Sequence, residues 1–197
     1  MGEIMTGKLL ALLLAISAIA LTGTAGAGPI AEKATEAERL LDGGDAAAAL
    51  DRLNEAMEIA WDAAPLIVRK ALYLEQKASG FGIYVERSAP ATFRPGEKLF
   101  VYVEPVGYGY GRDAVGSRLV GFNVDFTLTD PDGKVLFSKD DFLQVGSPVR
   151  YKNREFFLNL TVNLTGLGPG NYVSKFRLRD QNSEKSAAFE LPFSLAE

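Results

Sequence analysis

The sequence predicts a mainly β protein: a seven-stranded antiparallel two-sheet sandwich over residues 80–197, behind a small helical segment over 28–79. Three observations carry that expectation. The hydrophobic period changes from 3.6 to 2 near residue 80, which is the signature of a passage from helix to half-buried strand. Seven short segments beyond that point are rich in Phe, Val, Leu and Tyr, and several alternate apolar with polar residues. Turn chemistry separates them, as in an antiparallel sandwich with one solvated face per strand.

Residues 1–27 read as an address. Lys8 precedes the 13-residue apolar run "LLALLLAISAIAL", and Ala25-Gly26-Ala27 fits an A-x-A cleavage site before Gly28. The run is short of the roughly 20 residues that span a bilayer. The expectation is a signal peptide cleaved after Ala27, no stable membrane span afterwards, and a periplasmic or secreted product.

The helical segment, 28–79, should hold two to three helices. Pro29 suits a first helical turn, and "IAEKATEAERLL" runs to the "DGGD" breaker. In the next helix Leu50, Leu53, Met57 and Trp61 form a stripe at spacings of three and four. Asp62 as N-cap and Pro65 then suggest a third helix with Ile67, Ala71, Leu74 and Ala78 on one face, closed by Ser79-Gly80. Gly44-Asp45 followed by Ala49, Leu53 and Ala56 resembles one tetratricopeptide unit, whose small residues imply close helix approach. One such unit cannot bury its faces alone, so the stripe should dock on the sandwich or on a second chain.

The predicted strands are "FGIYVER", "KLFVYVE", "GFNVDFTLTD", "KVLFSK", "EFFLNLTVNLT", "NYVSKFRLR" and "SAAFELPFSL". Phe122, Val124, Phe126 and Leu128 alternate with polar neighbours, as do Leu158, Leu160 and Val162. Asp130-Pro131-Asp132-Gly133 is a tight-turn sequence between two of them. Pro169-Gly170 before Tyr172 resembles the entry to a core strand of immunoglobulin-like modules, where the ring joins the core and the hydroxyl bonds local backbone. Together "SGFGIYVERS", "FRPGEKLFVYVEPVGYG", "NREFFLNL" and "PGNYVSKFRLRDQNSEKSAAFELPF" resemble a family of uncharacterised bacterial exported proteins. The resemblance covers residues 79–195. It implies export and an immunoglobulin-like β-sandwich, and no activity or site residue.

Composition narrows the chemistry. The chain has no His and no Cys, which excludes imidazole bases, Ser-His-Asp triads, thiolate nucleophiles, disulfides and His or Cys metal ligands. A net charge of −4 gives no general attraction to nucleic acid. No catalytic residue, metal or cofactor is therefore expected. Asp130 and Asp132 have calcium-loop spacing, but Lys134 puts a cation where the next ligand would sit. Glu86, Glu104 and the pair Asp140-Asp141 could serve a carboxylate-based hydrolase, a third and weaker reading, only if two acids faced one cleft. Lys175, Arg177 and Arg179 read as a solvated sheet face, and Asn159 and Asn163, in sequon patterns, as solvent-facing strand residues.

The segment "EPVGYGYGRD" holds the candidate contact residues Tyr108, Tyr110 and Arg112. It lacks the third glycine of a dinucleotide fingerprint and the Gly-Lys-Ser/Thr of a P-loop. Two tyrosines and a guanidinium suit stacking on sugars or anchoring an envelope protein or polysaccharide. The same residues could instead fold back as a cap on the sandwich. The leading expectation is an exported non-enzymatic binding or scaffolding module that uses its loop end. The alternative is a carbohydrate-binding accessory module.

Overall fold

The computed structural model describes residues 28–197, so the expected signal segment lies outside the described residues. The chain is mainly β. Among the described residues two helices, α1 (Pro29–Asp42) and α2 (Ala46–Ala63), precede nine strands. These are β1 (Ile67–Leu74), β2 (Thr92–Phe93), β3 (Lys98–Val106), β4 (Gly111–Arg112), β5 (Arg118–Thr129), β6 (Val135–Val149), β7 (Leu158–Asn163), β8 (Gly170–Asp180) and β9 (Ser186–Leu195).

Local chemistry sets the helix ends. Pro29 occupies the first turn of α1, where its missing N–H costs nothing. Asp45 caps α2, its carboxylate accepting from the Ala48 amide at 3.0 Å. Ala37 of α1 and Ala49 and Ala56 of α2 are buried, so small side chains let the two helices approach closely. Lys33 reaches across to Glu55 at 2.7 Å.

The expected apolar stripe is divided. Trp61 is buried, whereas Leu50, Leu53 and Met57 are 60%, 43% and 49% exposed. The alanines take the helix–helix seam and leave the larger side chains outside it.

The third helix expected after Asp62 does not form. Asp62 lies inside α2, Ala64 is extended ahead of Pro65 as a residue before proline prefers, and residues 67–74 become β1. β1 pairs antiparallel with β3, from Ile67 opposite Val106 to Leu74 opposite Phe100. Its periodicity misleads because both faces are covered. Tyr73 enters the main core, while Leu72 and Leu74 join a second cluster with Ala78, Tyr84, Phe100, Tyr102 and Phe157.

The segment after β1 straps that second cluster. "FGIYVER", expected as a strand, contributes only isolated bridges, Ile83 with Gly80 and Glu86 with Leu74. Asn159 holds the strap, donating to the Ala78 carbonyl and accepting from the Ala78 amide, both at 2.9 Å. That sequon asparagine is thus engaged by backbone and does not simply face solvent.

The strands form a three-stranded sheet, β1-β3-β7, and a six-stranded sheet, β2-β9-β8-β5 with β4 and β6 both on β5. Every pairing is antiparallel except β2 with β9. Leu99, Val101, Val103, Leu158, Leu160 and Val162 from one sheet share a core with Val120, Phe122, Val124, Phe126, Phe176 and Leu178 from the other. The predicted alternation in β5 and β7 is the buried row of each strand. Tyr172 stacks on Phe193 and donates to the Gly168 carbonyl at 2.8 Å, as a tyrosine at the start of a core strand does.

Strand register gathers several connections at one end of the molecule. The ends of β3, β6 and β8 and the starts of β1, β5, β7 and β9 meet there. The segment from 107 to 117 joins β3 to β5 and is the crossover between the two sheets.

Candidate functional site: the loop end

The glycine–tyrosine segment is built as a packed crossover. Gly107 has φ +80°, and a Cβ there would land on the Pro65 carbonyl oxygen just beyond α2. Only glycine fits on both counts. A Cβ at Gly111 would collide with the Asn182 side-chain oxygen. Gly109 is pinned by its amide, which donates to Asp180 Oδ2 at 2.6 Å, while its carbonyl accepts from Asn182 Nδ2 at 3.2 Å.

Tyr108 is fully buried. Its ring lies edge-on to Trp61 at 5.0 Å and against Phe122 and Phe156 at 5.9 and 5.7 Å. Trp61 Nε1 donates to the Tyr108 carbonyl at 2.8 Å, fixing the C-terminal end of α2 to the crossover. The Tyr108 and Tyr110 hydroxyls both donate to the Asn153 carbonyl, at 2.6 and 2.5 Å. Burial pushes the Tyr108 phenol well above its ordinary value and raises Tyr110 as well. The expectation of Tyr108 as a surface anchor is therefore corrected: its ring is core, and Tyr110 is half-buried against it.

Basic side chains complete the seat of the helices. Lys185 Nζ donates to the Asp62 and Gly107 carbonyls at 3.0 and 2.8 Å, a cation placed at the end of α2 where the helix dipole favours it. Lys152 pairs with Glu58 at 3.0 Å.

Arg112 differs from the tyrosines. It is exposed on β4 and opens a turn ordered by Asp113, whose Oδ1 accepts from the Val115 and Ser117 amides at 3.0 and 2.8 Å. At the tip Val115 is 86% exposed. Beside the turn a cavity of about 320 Å³ is lined by Arg112, Ser117, Arg118, Pro148, Val149 and Arg150. Sequence reasoning missed Arg118 and Arg150, because only strand register brings residues so far apart in sequence to one rim.

The acidic candidates are structurally occupied. Glu104 is buried; Arg69 donates to Oε2 through Nε and Nη2 at 3.1 and 3.0 Å, and the Tyr102 hydroxyl donates to Oε1 at 2.9 Å. Burial above all pushes the Tyr102 phenol up to about 12. Glu86 lies exposed on the strap. Asp130 spends its carboxylate on the Asp132 and Lys134 amides at 3.1 and 2.9 Å, as a turn residue does. Asp141 accepts from Arg179 at 2.6 Å, and Arg179 also grips Asp125 at 2.8 Å. Lys175 pairs with Glu190 at 3.6 Å.

No protein-family model and no curated protein matches the chain. Among solved structures it is similar, at 9% identity and a TM-score of 0.35, to the alkylpurine DNA glycosylase AlkC of Pseudomonas fluorescens bound to DNA containing an abasic site analog. That match covers 80% of this chain and 40% of the other, and a likeness this low carries no argument.

Proposed function

We propose that this chain is an exported, non-enzymatic binding or scaffolding module of the bacterial cell envelope, which meets a protein or envelope polymer through the loop end of an immunoglobulin-like sandwich. The fold part of this reading is supported by strand pairing. Among themselves the seven strands longer than two residues pair only antiparallel, β1-β3-β7 in one sheet and β9-β8-β5-β6 in the other, and the one parallel pairing is that of the two-residue β2 with β9. That three-plus-four division, with the Tyr172 hydroxyl bonded to nearby backbone, suits the immunoglobulin-like class.

One observation carries the functional part. The turn at 113–117 is ordered by the Asp113 carboxylate, yet it holds Val115 almost fully in solvent between Arg112 and Arg118. A turn fixed before binding loses little entropy on contact, and an apolar tip flanked by arginines suits a partner surface. The carbohydrate-stacking alternative is weakened, because burial of Tyr108 leaves only the half-buried Tyr110 ring of the two.

The test is a photo-crosslinking residue at Val115 in the intact chain in its host envelope. The control is the same group at Val135, which is also exposed but begins β6 away from the turn. A covalent adduct specific to position 115, in a periplasmic or secreted species that starts at Gly28, is the expected result. Equal labelling at both positions, or a chain retained in the cytoplasm, refutes the proposal.

A further inference from the structure

The geometry points to a phosphate-binding pocket at the loop end, formed by Arg112 on β4, Arg118 at the start of β5 and Arg150 just past β6. This rests on the loop-end reading above and names the chemistry of what that end would hold.

Arg112 and Arg118 are direct partners in the antiparallel β4–β5 ladder. Like charges directly opposite on neighbouring strands destabilise a sheet unless something neutralises them. Arg150 joins them at the rim of the same 320 Å³ cavity.

Counter-charge is absent around these three guanidiniums although acid is abundant in the chain. The chain carries 25 acidic against 21 basic residues, and Arg52, Arg69, Arg87 and Arg179 each pair with a carboxylate. Among the described residues, Arg112, Arg118 and Arg150 have no carboxylate within 4.0 Å; Arg39, Arg94, Arg154 and Arg177 share that lack, but only the first three line one cavity together. Asp113, next to Arg112, is turned to its own loop amides.

The donors are held and still available. Arg112 Nη1 donates to the Gly116 carbonyl at 2.9 Å, and Arg118 Nη1 to the Arg150 carbonyl at 3.3 Å. A guanidinium has five N–H groups in a planar fork, so each keeps donors free after one such bond. Three forks with the Ser117 hydroxyl offer more donors and more charge than a carboxylate needs. They match a tetrahedral phosphate with three terminal oxygens. Pro148 and Val149 give the cavity one apolar wall, suited to the carbon skeleton of a sugar that carries the phosphate. The volume is at the small end for ligand sites, which fits a phosphate group on a small carrier.

The test is calorimetric titration of the full mature chain at low ionic strength with inorganic phosphate, glucose 1-phosphate and glucose. Both phosphates should bind and glucose should not. Arg112→Gln, Arg118→Gln and Arg150→Gln should each weaken phosphate binding by about tenfold or more, one lost charged fork. Melting temperatures should stay level or rise, because like-charge repulsion is relieved. Arg112 and Arg150 are exposed, so their variants keep the test valid if Arg118→Gln folds poorly. Tighter binding of glucose 1-phosphate assigns the site to a polymer-borne ester, and equal affinities assign it to the free ion. No millimolar binding by the parent chain, or unchanged binding in the triple Gln variant, overturns the pocket. A Val115 crosslink that persists without phosphate binding removes only the pocket. Phosphate binding without any crosslink removes only the partner-contact reading.

Discussion

Replacing Tyr108 by alanine should cost the fold heavily, and the size of the loss can be worked from its surroundings. The side chain is fully buried and touches the rings of Trp61, Phe122, Phe156 and Tyr110. Burial of about 200 Å² of aromatic side chain, at about 25 cal/mol per Å², sets an upper value of about 5 kcal/mol. Core aromatic-to-alanine changes cost about 3–5 kcal/mol by direct comparison. The expected loss is therefore about 4 kcal/mol, which for a chain of this size lowers the melting temperature by about 10 °C. Tyr108→Phe separates the ring from the hydroxyl. The Asn153 carbonyl keeps its bond from Tyr110, so no buried acceptor is orphaned and the loss should be only about 1 kcal/mol. Urea denaturation of the three proteins, read by Trp61 fluorescence and far-ultraviolet circular dichroism, gives these numbers. If Tyr108→Ala stayed within about 0.5 kcal/mol of the parent, as surface changes do, the packed-crossover assignment would be wrong.

Gly107→Ala should destabilise by about 2–3 kcal/mol, since it combines positive φ with a clash on the Pro65 carbonyl. Gly116→Ala, at φ +85° in open space, should cost about 1 kcal/mol, and equal losses would refute the contact with Pro65. Arg179 holds the Asp125 carboxyl below its ordinary range, despite the opposing effect of burial. A lowered folded value means stability that is present above about pH 4 and lost as pH falls through that value. Melting curves from pH 6 to pH 2 should thus fall more steeply for the parent than for Asp125→Asn, and parallel curves would contradict the linkage. Because Asp130 spends its carboxylate on its own turn, melts with and without EDTA should coincide. A drop on chelation that calcium restores would reassign that turn as a metal loop.

Much of the β architecture was legible because its strands obey one rule each. β5 from Phe122 to Leu128, and β7, bury every second residue, and a period of two reads directly as a strand with one core face. β1 broke the rule by burying side chains on both faces, so Ile67, Ala71 and Leu74 looked like a helical stripe after a plausible cap. The strap was the reverse case: "FGIYVER" has strand composition, but it makes only isolated bridges, and Tyr84 packs on the second cluster while Ile83 and Val85 stay exposed. At the candidate site, Arg112 stood out beside the glycines and tyrosines. Tyr108 misled because sequence gives no sign of Trp61 arriving from α2 to bury it. Arg118 and Arg150 carried no local signal, since their meeting is a property of β5–β6 register alone.

The join between α2 and the β body has a mechanical consequence. α2 is 18 residues, a rigid arm about 27 Å long at about 1.5 Å per residue. It is pivoted near one extremity by Trp61 and Lys185. A tilt of about 10° at that pivot swings the far tip, at Asp45, by about 5 Å over such a length. Small repacking around Tyr108 would thus be amplified along the arm, so a perturbation made at the crossover is best sought by a distance probe at the opposite tip.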